Sequence, residues 1–105
     1  MEKRRTTIGL SRYLRKHFPT KKPVRVSICK TEMDTTTLPH QREFGETIDM
    51  GKYYLIKINK DDEQRVQKDT LQHEWAHCVV DWTNRSDHGN KWALAYARIY
   101  RKVDE

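Results

Sequence analysis

Between Asp61 and Asn84 the chain contains no glycine and no proline. Neither of the residues that commonly end a helix interrupts it, so the run predicts one long helix over about residues 63–83. Asp61, Asp62 and Glu63 offer a cap and an acidic first turn, both favourable against the helix dipole. Leu71, Trp75, Cys78, Val79 and Trp82 recur at helical spacing and form an apolar back. Val66, Thr70, His73 and His77 line up on another face. The helix therefore has a back to bury and a front of separate chemistry.

That front reads His73-Glu74-Trp75-Ala76-His77. Two histidines four residues apart project one turn above the other, and both imidazoles can reach one small cation. Glu74 stands beside the first and is placed to hold a water at that cation and take its proton. With five histidines in 105 residues, a chance H-E-x-x-H is roughly a one-in-a-hundred event, so the motif is informative on its own. The third ligand sets the subclass. An extended motif with glycine at position 80 and histidine at position 83 is excluded, because the chain has Val80 and Thr83 there. The helix that follows offers no carboxylate before Asp104 and Glu105. His88, eleven residues after His77, is the remaining candidate. Three imidazoles leave one coordination position to solvent, as a catalytic zinc site requires and a closed structural site does not. The expected cofactor is one catalytic Zn2+ on His73, His77 and His88, although three imidazoles also suit other divalent ions.

The pattern His73-Glu74-x-x-His77, a short linker, then Asp87-His88-Gly89-x-x-Trp92 resembles the SprT-like zinc metalloprotease domain, the Spartan-related zincins. The match covers the C-terminal third closely, and the strands before it fit in order and spacing. The resemblance implies a zincin-type fold, three histidine ligands and Glu74 as catalytic acid and base. It also implies action on DNA-associated proteins. Many family members carry a cysteine-rich zinc ribbon after the protease domain. No such cysteine pattern occurs in these 105 residues, so the expectation is a minimal form without it.

A length of 105 residues predicts one domain over 1–105 with room for one modest core. Charged residues make up 34% and apolar ones 35%, so the core must be lean and rely on its aromatics. The net charge of +6 favours acidic partners, with DNA on a basic surface first among them, beside a protein or peptide substrate. The two cysteines, Cys29 and Cys78, form no paired metal motif. Cys78 points about 100° around the helix from His77 and is expected in the core. No apolar run resembles a signal peptide or reaches membrane-spanning length, so the expectation is a cytoplasmic, monomeric protein without a membrane partner.

Residues 1–5 are polar and expected to be loose. Thr7 can cap a helix through His17, with Ile8, Tyr13, Leu14 and Phe18 on its apolar side and Arg12, Arg15 and Lys16 on the other. Pro19 and Pro23 break it. Residues 24–29 alternate as a half-buried strand, with Val24, Val26 and Ile28 inward. Residues 30–42, which include His40, read as a long loop that could rim a cleft. Residues 43–50 and 52–59 form a hairpin turning near Gly51, with Tyr54, Ile56 and Ile58 on one face. A last helix over about residues 89–102 is capped by Asp87 and entered by His88, and Trp92, Ala95, Tyr96 and Ile99 pack it onto the histidine helix. The packing of Trp92 would fix the angle of His88. Asp87, or a backbone carbonyl, is expected to accept from a ligand imidazole, and Tyr96, Tyr100 and Arg98 are candidate oxyanion donors.

The expected fold is thus α+β and zincin-like. It comprises an N-terminal helix, a three-stranded and mostly antiparallel sheet, the H-E-x-x-H helix and a C-terminal helix. The expected activity is zinc-dependent hydrolysis of peptide bonds. The alternative is a basic nucleic-acid-binding or protein-interaction domain with a structural or vestigial metal site.

Overall fold

Strand pairing places the most apolar strand at the centre. The computed structural model describes residues 5–30, 45–80 and 90–104. In chain order the elements are α1 (Thr7–His17), β1 (Val24–Cys29), β2 (Gly45–Asp49), β3 (Tyr54–Asn59), α2 (Gln64–Val79) and α3 (Asn90–Val103). The sheet order is β1-β3-β2. Tyr54, Ile56 and Ile58 of β3 alternate onto one face and are fully buried there, and α2 packs against this strand. The molecule is an α+β fold.

The sheet is mixed, which corrects the expectation of a mostly antiparallel one. β2 and β3 are antiparallel, with Thr47 opposite Ile56. β1 runs parallel to β3, with Val26 opposite Ile56. A parallel neighbour needs a crossover rather than a tight turn. Here β2 supplies the return path: it runs antiparallel to β3, and the hairpin then brings β3 back between the other two strands. The hairpin itself turns as expected. Gly51 has φ +91°, its N–H donates to the Asp49 carboxylate at 2.8 Å, and the Met50 N–H donates to the Tyr53 carbonyl at 2.9 Å. Lys22 bonds the same carboxylate at 2.8 Å, and this cation, with the Gly51 N–H, holds Asp49 below the usual carboxylate range.

Several local expectations shift by a residue or a face. The α1 cap is Thr6 rather than Thr7. Its backbone is extended, and its hydroxyl accepts from the Gly9 N–H at 2.9 Å. Thr7 is buried instead and donates to Gln67 Oε1 at 2.9 Å, tying α1 to α2. Leu10 and Leu14, not Ile8, form the buried line of α1, and Ile8 is 43% exposed. The reason is phase: Thr7, Leu10, Ser11 and Leu14 share the stripe that meets α2. Ahead of α2, Asp61 and Asp62 lie in the turn and Glu63 takes the cap position without a side-chain bond. The turn is organised by Asn59, whose side chain accepts from the Asp61 N–H at 3.0 Å and whose carbonyl accepts from Gln67 Nε2 at 3.0 Å. The acidic first turn is therefore absent.

α2 contacts α1, α3, β2 and β3. Leu71, Trp75 and Cys78 are fully buried along its back, as the spacing predicts. α3 buries Ala95 and Ile99 on the same core, with Trp92 and Tyr96 packed partly against it. Trp82, the end of the expected helix beyond Val80, His40 and the loop around it, and residues 1–4 lie outside the described residues. Among the described residues no helix is long and apolar enough to cross a membrane.

β2 approaches α2 closely at Gly45. A Cβ there would stand 2.6 Å from Thr70 Cγ2 and 2.7 Å from the Lys57 carbonyl oxygen. One of those atoms is the backbone of the central strand and cannot swing aside. Gly45→Ala is expected to destabilise the fold by about 1–3 kcal/mol through overpacking, read as a lower urea midpoint at unchanged m-value. A midpoint equal to wild type would mean that the approach is loose.

Candidate metal and catalytic centre

The helix phase carries His73, Glu74 and His77 to the side of α2 that faces β2 and α3. The His73 and His77 rings lie 5.4 Å apart between centroids, at 72° to one another. His77 is 6% exposed, and the side chain of His73 remains about one-third accessible (34%). The inner ring is thus fixed by its surroundings while the outer one borders solvent. Glu74 is 8% exposed. Its Oε2 lies 3.7 Å from His73 Nε2, and its Oε1 accepts from the Thr47 hydroxyl at 2.7 Å. Two imidazoles and a carboxylate are therefore grouped on one helical turn.

Aromatic side chains from α3 wall this turn. The Trp92 ring sits 4.8 Å from His73 and 5.5 Å from His77, nearly parallel to the latter at 28°. Its Nε1–H donates to the His73 carbonyl at 3.2 Å. Trp92 was expected to orient His88. Among the described residues its ring meets the other two histidines and, at 5.2 Å, Tyr96. Tyr96 lies 5.7 Å from His73. Burial, helped by the Asp69 charge, raises its phenol above the ordinary value, so it keeps its proton at neutral pH and can donate it in a hydrogen bond. Tyr100 touches Tyr96 at 6.3 Å and is 57% exposed. Arg98 is exposed on α3. From Trp92 an open groove of about 620 Å³ extends along α3 past Tyr96 and Tyr100 to Asp104.

Whether these residues suit a metal is decided by the donor set. Imidazole nitrogens four residues apart on a helix suit a divalent transition ion. Cys78 does not join them. It is fully buried in the core as a free cysteine. Burial, with the Glu74 charge adding to it, pushes its thiol up to about 12, and a neutral thiol is a poor ligand. Among the described residues no three His, Cys, Asp or Glu side chains are grouped to hold an ion. The expected third ligand His88 and the expected acceptor Asp87 lie outside the described residues.

Sequence reasoning did not find Thr47. The only signal was a polar residue on the inward side of an alternating strand. The register gives its position a second property. The Met50–Tyr53 bond sets which pairs are bonded, and bonded pairs alternate in an antiparallel ladder. Glu46 and Ile48 thus bond to β3, and the main-chain groups of Gly45, Thr47 and Asp49 point to the outer edge of β2. No protein-family model matches this chain, and no curated protein and no solved structure matches it either.

Proposed function

We propose that the chain is a zincin-type metallopeptidase that hydrolyses peptide bonds of protein substrates, with Zn2+ on His73, His77 and His88. The observation that carries this reading is the placement of the Glu74 carboxylate. One oxygen is bonded to Thr47 at 2.7 Å, and the other lies 3.7 Å from the His73 ring, beside the imidazole pair. A divalent ion bound there supplies Lewis-acid polarisation and a water more acidic than bulk.

The chain's own residues supply the rest. Glu74 accepts the proton of the attacking water and returns it to the leaving amine. The outer edge of β2 offers main-chain groups of Gly45, Thr47 and Asp49, and an extended peptide can add there as a further strand. That would lay the peptide beside Glu74, because Thr47 touches both the edge and the carboxylate. The groove beyond Trp92 receives a substrate side chain, and its aromatic lining favours an apolar one. Tyr96, protonated and next to His73, is the best placed of the three expected oxyanion donors.

The test is hydrolysis of an unfolded protein by the zinc-loaded chain, before and after chelation, with the metal-to-protein ratio measured in parallel. One ion per chain and cleavage that disappears with chelator and returns with zinc are expected. A chain that binds no metal above background ends the proposal.

A second reading, contact with nucleic acid, rests on α3. The helix carries Lys91, Arg98, Arg101 and Lys102 as well as Trp92, Tyr96 and Tyr100. Arg101 borders the groove beside the three rings, and a cation next to stackable rings suits a single strand. Salt-dependent binding of single-stranded DNA that survives chelation, without any cleavage, would favour this reading over the peptidase.

A further inference from the structure

We infer that Thr47 is a positioning residue for Glu74, an inference that rests on the peptidase reading above. The two side chains come from β2 and α2, and both are buried, at 7% and 8% exposure. A hydroxyl has one proton to donate. The Glu74 carboxylate takes it at 2.7 Å, whereas the Glu74 carbonyl lies at a weaker 3.5 Å. A donor to an ionised acceptor makes a strong, directional bond. It pins Oε1 toward the sheet, and the fork of the carboxylate then turns Oε2 toward the His73 ring. The two oxygens are divided between a structural task and a chemical one. Without the hydroxyl, a three-torsion side chain would sample several rotamers, and only a fraction of them would present an oxygen to the imidazole side.

The same residue meets the substrate edge through its backbone. Side-chain substitution leaves those main-chain groups in place. Loss of the hydroxyl is therefore expected to alter turnover rather than docking. A residue that merely fills space or satisfies a buried charge would change stability and leave this split unseen.

The experiment compares Thr47→Val, Thr47→Ser and Thr47→Ala in the full chain. For the zinc-loaded protein, kcat of Thr47→Val and Thr47→Ala is expected to fall on the order of 10- to 100-fold, with KM within about twofold and metal content unchanged. Thr47→Ser, which restores the hydroxyl, is expected to recover most of the rate. In the metal-free protein at fixed pH, the Glu74 side-chain carboxyl carbon resonance is expected to move in Thr47→Val and return in Thr47→Ser. Wild-type turnover in both Thr47→Val and Thr47→Ala, or a Ser variant as slow as the other two, overturns the inference. If the wild-type chain hydrolyses nothing, the peptidase reading fails separately. The metal-free resonance then decides: a shift keeps Thr47 as the group that holds Glu74, and no shift removes it. The alanine variant carries the comparison if valine disturbs β2.

Discussion

Replacing Glu74 by glutamine is expected to leave the fold and the metal content intact and to abolish hydrolysis. The substitution is nearly isosteric. The amide oxygen can still accept from Thr47 where Oε1 now lies at 2.7 Å, so the β2–α2 contact persists. The amide nitrogen takes the place of Oε2, beside His73. A buried charge is removed without leaving a partner charge behind, so melting should shift by no more than a degree or two per few tenths of a kcal/mol. What the amide cannot do is accept a proton. General base catalysis contributes about 10²–10⁴-fold, and Glu74 is the only carboxylate of the described residues assigned to this site. The rate should therefore drop on the order of 10³-fold. Three measurements check this: kcat/KM on an unfolded protein substrate, zinc per chain, and thermal melting. A glutamine variant that keeps cleavage within tenfold of wild type, roughly the noise of an indirect effect, would remove Glu74 from the chemistry and leave the histidines as a binding site only.

The contrast between Glu74 and Thr47 shows what periodicity transmits. The phase of α2 could be read because helical spacing is rigid: once Leu71, Trp75 and Cys78 are assigned to the core, His73 and His77 must lie elsewhere. The same reasoning held for α3, where Ala95 and Ile99 are buried and Trp92 and Tyr96 flank them. The hairpin was legible because Gly51 supplies the positive φ its turn needs. Strand orientation was not legible. The alternation of Val24, Val26 and Ile28 marks a strand but is the same read in either direction, and only the path of the chain makes β1 parallel to β3. Capping failed for a similar reason, since Thr6 and Thr7 carry the same hydroxyl and tertiary contact with Gln67 claims the second. Thr47 lies 27 residues from Glu74, and no local pattern reports a contact across that distance. His88, on which the three-ligand expectation depends, falls outside the described residues.

The largest effect on stability is expected at Trp75, which lies between the two histidines in sequence and on the opposite side in space. Its side chain is fully buried. Its Nε1–H donates to the Phe18 carbonyl at 3.0 Å, where α1 ends, and Arg15 lies 5.9 Å above its ring. One residue thus joins α2 to α1 and fills the core beneath the candidate centre. Trp75→Ala should cost about 3–5 kcal/mol for the cavity, with about 1 kcal/mol more for the carbonyl left without its donor. Stabilities of small domains are about 5–15 kcal/mol, and an apolar content of 35% places this chain toward the low end. Trp75→Ala should therefore lower the melting temperature by at least about 15 °C or abolish a cooperative transition. Trp75→Phe separates the two contributions, because it keeps most of the ring volume and loses the N–H, and it should cost about half as much or less. Metal binding adds an independent readout. If the core under α2 sets the angle between the imidazoles, zinc affinity falls in Trp75→Ala and recovers in Trp75→Phe. A Trp75→Ala variant that melts within about 5 °C of wild type would mean that α2 is held by its contacts with β3 and α3, and that the junction with α1 is dispensable for the centre above it.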